Sequence, residues 1–266
     1  MKFGCCVNML SKAAVKIGYE FIPLVEKLGF DYVELPLAQV MELDEEAFAA
    51  GPLAAVQAAN IPCLRMNNFL PSTLRLTGSD ARLDEALDYA RKALKRASRL
   101  GVMVVVMGSS GARNRPLHVS LAQGEAQLVA FLKALAPIAE ENGIVIAIEH
   151  LNKLESNIVN SYADSCTLAR RVNNSAVGTL LDIFHMDMVG ESIDNLRNTG
   201  SLLKHVHVAR TLNRSFPKEG DESDYMQLFA MFKDIGYDDT ISFEAYVQGD
   251  FAMEATEALR YLKSQM

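Results

Sequence analysis

Cysteine is scarce and unpatterned in this 266-residue chain: Cys5 and Cys6 are adjacent, while Cys63 and Cys166 stand alone. Neither the spacing of a disulfide scaffold nor that of a zinc ribbon is present, so the thiols are expected as small buried groups near strand and helix ends. No apolar run reaches the roughly 18 residues a membrane span needs. The opening segment MKFGCCVNML turns polar too soon for a signal peptide, and a cytoplasmic protein is expected. Positive charge is in deficit, 26 Lys and Arg against 33 Asp and Glu, which leaves a formal net charge of −7. A chain of that sign lacks the field that draws proteins onto nucleic acid or anionic lipid. The first βα loop carries no GxGxxG, which weighs against an open dinucleotide-binding sheet. Chemistry on a small molecule is what these absences leave.

What is present is alternation. Eight short β-rich runs recur: KFGCCV, DYVELPL, IPCLRMN, VMVVVMG, IVIAIEH, AVGTLLD, LLKHVHV and TISFEAY. Between them lie stretches with helical spacing, among them DEEAFAAGPLAAVQAAN, SDARLDEALDYARKALKRASRL, LAQGEAQLVAFLKALAPIAEEN and YADSCTLARRV. Gly29, Gly101, Gly143 and Gly236 each stand just ahead of a strand, as left-handed helix ends require. Eight βα units in a chain close to the roughly 250 residues typical of the closed barrel predict a single (β/α)₈ TIM barrel. No linker or change of composition divides the chain, so residues 1–266 are expected as one domain, with the long irregular stretch 210–223 as a loop over the site.

In such a barrel, chemistry sits at the C-terminal ends of the strands. IVIAIEH closes on Glu149, TLLDIFH carries Asp182, KHVHV carries His205 and His207, and TISFEAY places Glu244 just past Phe243. These are the fifth to eighth strands, so the side chains can converge from one arc of the rim. A carboxylate buried alone costs several kcal/mol, whereas three carboxylates and an imidazole around a divalent cation are neutralised by it. Oxygen-rich coordination with one nitrogen favours Mn²⁺, with Co²⁺, Mg²⁺ or Zn²⁺ as alternatives. His205 and His207 share a strand face, and His207, nearer the strand's end, is taken as the ligand with His205 one layer deeper; the other register exchanges the two.

Around this set lie weaker candidates. His185, three residues after Asp182, is either a surface residue at a helix start or a neutral donor to a substrate oxygen. Asn8, Glu34 and Asn68, near the ends of the first three strands, are candidate hydroxyl contacts. The loop GSSGARNRP, with Arg113 and Arg115, is either a phosphate seat or a turn with solvated arginines, and RKALKRASR reads as a solvated helix face.

These motifs resemble, in order, those of the xylose isomerase-like barrel superfamily, and within it the sugar phosphate isomerase/epimerase group of D-tagatose and D-psicose 3-epimerases. IEHLNKLESN resembles the segment that carries a metal-binding glutamate and, six residues on, a substrate-binding one, here Glu149 and Glu155. LLDIFHM resembles the Asp-x-x-His segment, which implies Asp182 as ligand and His185 as a contact to substrate oxygen. HVHV followed by Asn213 and Arg214 implies His207 as ligand and Arg214 on the substrate side, and SFEAY supplies Glu244. Two departures stand out: one extra residue between His207 and Arg214, and no tryptophan to lie against the sugar. The resemblance implies a homo-oligomer, dimer or tetramer, acting on a sugar or sugar phosphate. It implies proton transfer beside a carbonyl, the metal stabilising an enediolate and Glu149 and Glu244 forming the acid–base pair, most simply to epimerise a ketose at C3. Inosose dehydration and hydroxypyruvate isomerisation use the same kind of site, and a non-catalytic sugar-binding barrel is the contender from another class. An abasic-site endonuclease on this fold needs a basic surface and more metal ligands than five histidines and a negative chain provide.

Overall fold

A computed structural model describes residues 1–11 and 16–266. Eight parallel strands close in sequence order into a barrel. They are β1 (Lys2–Cys6), β2 (Tyr32–Pro36), β3 (Cys63–Asn67), β4 (Val104–Met107), β5 (Val145–Glu149), β6 (Val177–Asp182), β7 (Leu203–Val208) and β8 (Thr240–Phe243). Each falls inside one of the eight β-rich runs of the sequence. The principal helix after each strand is α1 (Ile22–Lys27), α2 (Glu45–Phe48 and Ala54–Ala58, joined by a wide π turn), α3 (Leu83–Arg99), α4 (Leu121–Glu141), α5 (Tyr162–Val172), α6 (Ile183–Val189), α7 (Tyr225–Asp234) and α8 (Phe251–Ser264).

Local chemistry sets these boundaries. Ser161 and Asp164 form a reciprocal capping box that starts α5, and Ser120 and Gln123 do the same for α4. The glycines read as helix ends at 29, 101, 143 and 236 all have positive φ, between 66° and 85°. The π turn of α2 falls where Gly51–Pro52 interrupts an alanine-rich helix: proline cannot donate its share of the ladder. On α3 the buried stripe is mostly alanine (Ala86, Ala90, Ala93 and Ala97), which lets the helix lie close to its neighbours. Its basic face is only partly free in solvent, because Arg96 and Arg99 lie over the Phe48 ring at 4.7 and 4.8 Å.

The barrel interior is divided. On the β4–β6 side it is apolar, with Val104, Val106, Ala147 and Leu180 in one buried cluster. Across from them the inward positions are polar and satisfied by each other: Tyr32 bonds Ser242 at 2.8 Å, and Arg65 Nε donates to Thr240 Oγ1 at 2.9 Å. Tyr32 fits because Gly4 opposite it has no side chain; a Cβ there would meet the ring at 2.2 Å. All four cysteines are free and buried. No helix among the described residues is long and apolar enough to cross a membrane.

Candidate functional site

Parallel registers carry the acids and the imidazole to one level. Asp182, the last residue of β6, pairs with His207 on β7, and His207 pairs with Ser242 on β8. Glu149 ends β5, and the Glu244 N–H extends the last ladder by donating to Val208 O at 3.1 Å. One ligand atom from each of Glu149, Asp182, His207 and Glu244 lies within 4.8 Å of every other. Asp182 also caps α6: its carboxylate accepts from the His185 backbone N–H at 3.4 Å. The Asp-x-x-His spacing is therefore an N-cap and its third helical residue, which turns His185 back over the acid.

The imidazole is oriented from below. Glu34 takes both histidines of β7, with Oε1 3.1 Å from His207 Nε2 and Oε2 2.9 Å from His205 Nε2. With Nε2 so engaged, Nδ1 is the His207 nitrogen that faces the carboxylates. It stands 3.5 Å from Glu149 Oε1 and 3.2 Å from Glu244 Oε2 but makes no hydrogen bond among the described residues. Burial pushes the Asp182 carboxyl up to about 8, only partly opposed by Arg214. Burial also opposes the Glu34 and Glu244 charges, but the two imidazoles hold Glu34 well below the usual range, and Arg214 and His207 hold Glu244 down at about 2. Burial disfavours a charged His207, and Glu34 and Glu244 outweigh it and raise its pKa. Two buried carboxylates and a partly buried third around one imidazole nitrogen, one of the acids forced toward its neutral form, make a donor set suited to a divalent cation. The residues fit such an ion.

The substrate side opens above this cluster. Two arms of a cleft, about 250 and 240 Å³, share Asn68, Arg214 and Glu244. One arm continues to Asn8, Lys16, Gln39 and Tyr246, the other to Gly108, Glu149, Glu155 and His185. A larger cleft of about 570 Å³ beside Lys218 and Arg260 contains none of these residues, so chemistry rather than volume locates the site. Strain locates it too: Asn68, Ser109 and Arg214, which line the cleft, have left-handed φ of 50°, 36° and 47°. The Arg214 Nη2 reaches Asp182 at 3.2 Å and Glu244, while Nη1 lies 3.8 Å from Glu155. Segment 210–216 is pinned to the end of β8 by Tyr246 N–H donating to Arg214 O at 2.7 Å. Of the stretch 210–223 expected over the site, Arg214 lines this cleft, whereas Lys218, Glu219, Glu222 and Ser223 line other clefts.

His185 is fully buried rather than a surface residue, and its tautomer can be deduced. The Asn152 N–H donates to Nδ1 at 3.2 Å, so Nδ1 carries the lone pair and the proton sits on Nε2, which lies 3.6 Å from Asp182 Oδ2 and makes no hydrogen bond among the described residues. Burial, with Arg214 adding to it, holds its pKa down at about 3, so the ring is a neutral donor. Asn152, not anticipated as a site residue, also donates through Nδ2 to Glu155 Oε1 at 3.0 Å; its only sequence signal is its place inside IEHLNKLESN.

Two expectations are corrected. Glu34 does not line the cleft: it is fully buried, and both oxygens serve the two histidines of β7. Arg113 is neither a phosphate seat nor solvated. It is fully buried, and its Nη1 donates to the carbonyls of Met107 at 3.0 Å and Glu149 at 2.6 Å. Arg115 is likewise turned to protein, donating to Val119 O at 2.8 Å.

With that geometry established, the chain compares as follows. The model of the xylose isomerase-like TIM barrel family matches residues 22–265. The chain belongs to that family. It is 26% identical over 233 residues to D-psicose 3-epimerase of Agrobacterium fabrum, covering 86% of this chain and 79% of that protein. Its fold superposes on a crystal structure of D-psicose 3-epimerase in the presence of D-fructose with a TM-score of 0.85 at 22% identity, covering 98% and 97% of the two chains. A crystal structure of the IolI protein with a bound zinc atom aligns with a TM-score of 0.72 at 22% identity, over 100% and 96%.

Proposed function

We propose that the protein is a divalent-metal-dependent sugar isomerase/epimerase and that it epimerises a ketose, free or phosphorylated, at C3. The observation that carries this reading is the pair of carboxylates from β5 and the end of β8, Glu149 and Glu244, set either side of one imidazole nitrogen at 3.5 and 3.2 Å. The similarity to D-psicose 3-epimerase over most of both chains supports it. Glu149, Asp182, His207 and Glu244 would hold the ion, with Mn²⁺ preferred from their oxygen-rich donors; zinc in the IolI structure keeps Zn²⁺ among the alternatives. A bound divalent ion supplies Lewis acidity to the carbonyl and neighbouring hydroxyl oxygens of an open-chain sugar.

The remaining work falls to side chains. One glutamate takes the proton from the carbon beside the carbonyl and the other returns one to the opposite face, so the centre inverts. His185 Nε2–H donates to a substrate oxygen, Glu155 accepts from a hydroxyl, and Arg214 orients Glu244 while facing the sugar. Asn8 and Asn68 contact hydroxyls from the β1–β3 side of the cleft. Lys16 and Arg214 are the cations that line the cleft and the groups a sugar phosphate would meet.

Incubation of the Mn²⁺-loaded protein in D₂O with free ketoses, ketose phosphates, hydroxypyruvate and an inosose tests the assignment by NMR. Deuterium at C3 of a ketose together with its C3 epimer is the expected result. Label at C1 or C2 would instead assign isomerisation, and a deoxy product dehydration. Binding without turnover would assign a sugar-binding barrel, and no exchange with any substrate would overturn the enolisation chemistry altogether.

A further inference from the structure

We propose that Gly108 and Arg113, at the two ends of the loop after β4, are positioning residues that fix the Glu149 carboxylate for proton transfer; this rests on the role proposed above for Glu149. Gly108 is not among the glycines with positive φ, so its backbone does not demand glycine. Space does. A Cβ at this position would lie 2.0 Å from Glu149 Oε2 and 3.2 Å from its carboxyl carbon. The carboxylate can occupy its place only because the residue that follows strand β4 has no side chain.

The contact also separates the two carboxylate oxygens. Oε1 is the one that faces His207 Nδ1, at 3.5 Å, and so the ligand cluster. Oε2 rests over Gly108, and both residues line the same arm of the cleft. Oε1 is thereby the ligand oxygen and Oε2 the oxygen that holds the proton.

Arg113 fixes the other end of the same residue. Its Nη1 ties the Glu149 carbonyl to that of Met107, joining the ends of β5 and β4 at the point from which the acid projects. The guanidinium is fully buried, and its Nε and Nη2 have no partner among the described residues. Desolvating an arginine for two backbone contacts is a poor way to stabilise a barrel, since buried polar groups left unpaired cost free energy. It is a good way to hold the backbone from which one carboxylate projects, because the contact is to the carbonyl rather than to the carboxylate. Both acids face His207 Nδ1, but Glu244 is also held by Arg214, whereas Gly108 and Arg113 act on Glu149. Disturbing Gly108 should therefore impair the Glu149 face more than the Glu244 face.

Gly108→Ala is the decisive variant. Its methyl meets the flexible end of a side chain, so the variant should fold with an unchanged melting profile while the carboxylate moves. Crystal structures of variant and wild type should show Glu149 displaced by an ångström or more, and the visible spectrum of bound Co²⁺ should change. In the D₂O assay, kcat should fall by about 10²-fold or more, within the range of acid–base catalysis, with KM changed by less than about fivefold. Solvent exchange should slow from one C3 epimer more than from the other. Glu149→Asp should cost less in the Gly108→Ala background than in wild type, the mark of two changes acting through one group. Arg113→Met, which keeps a similar volume but donates to neither carbonyl, should lower kcat in the same face-selective way. An unmoved Glu149 and an unchanged Co²⁺ spectrum would overturn the proposal, as would strictly multiplicative losses in the double variant. If wild type exchanges no label with any sugar, the proposed reaction fails, and the structures and the Co²⁺ spectrum still decide this inference.

Discussion

Glu34 and His207 come from strands β2 and β7 and meet inside the barrel, the carboxylate Oε1 3.1 Å from the imidazole Nε2. The contact fixes which nitrogen of His207 faces the cluster. It continues downward: Glu34 Oε2 meets His205, whose Nδ1 lies 2.9 Å from Thr240 Oγ1, and that hydroxyl accepts from Arg65. A carboxylate behind a ligating imidazole raises its basicity and holds its orientation. Glu34→Gln keeps the shape but removes the charge, so it should weaken Mn²⁺ binding by about 10–100-fold. Titration calorimetry on the metal-free protein measures this, and undiminished affinity would mean that Glu34 does not tune the ligand.

Asp182 gives the metal-free protein a pH dependence of definite sign. Its folded pKa of about 8 lies above its ordinary value of 3.8, so the folded state holds a proton that the unfolded chain has released between those values. That contribution to stability is complete below the lower value and is lost as pH rises through the upper one. A cation must displace this proton, so Mn²⁺ affinity should increase as pH rises toward 8, with proton release on binding. Calorimetry in buffers of different ionisation enthalpy counts the protons. Asp182→Ala and His207→Ala, dialysed against Mn²⁺, should retain far less metal than wild type, and equal stoichiometric content in all three would remove both as ligands.

The parts of this site that follow strand periodicity were legible in the sequence. An acid or imidazole that ends an apolar strand, as Glu149, Asp182 and His207 do, has its direction set by alternation and its height set by the strand's end. Burial depth was not legible. Glu34 lies in the middle of its strand-like run, two residues before the end of β2, and so sits a layer lower, under His207. Arg113 sits in a glycine- and serine-rich loop that reads as solvent-exposed, and only the fold shows that Met107 and Glu149 present carbonyls to draw it inward. The Glu149 carbonyl lies 36 residues from Arg113 and His207 lies 173 residues from Glu34, beyond the reach of local pattern.

Glu149→Gln and Glu244→Gln test the acid–base pair directly. Each keeps an oxygen toward the cluster but cannot exchange a proton, so each should lower kcat by about 10²–10⁴-fold while metal is retained. Glu155→Gln, a change at a hydroxyl acceptor, should act mainly on KM. Steady-state kinetics with metal analysis on the same samples separates these cases, and full activity in either variant of the pair would take that residue out of the chemistry.

Arg214 connects substrate binding to the charge state of the pair. Its guanidinium touches Glu244 and Asp182, and together with His207 it holds Glu244 at about 2 against the upward push of burial. Removing the charge in Arg214→Gln should let the Glu244 pKa rise, so the acid limb of the kcat/KM profile should move to higher pH. Loss of a charged hydrogen bond, about 1.5–3 kcal/mol, should also lower kcat/KM at neutral pH by about 10–100-fold. Arg214→Lys separates the two effects. A lysine restores positive charge near Glu244 but cannot present the planar fork that reaches Asp182, Glu244 and Glu155 together. It should return the acid limb toward wild type while KM stays high. A pH–rate profile of Arg214→Gln that overlies that of wild type would show that His207 and the metal suffice to keep Glu244 ionised, leaving Arg214 as a substrate contact alone.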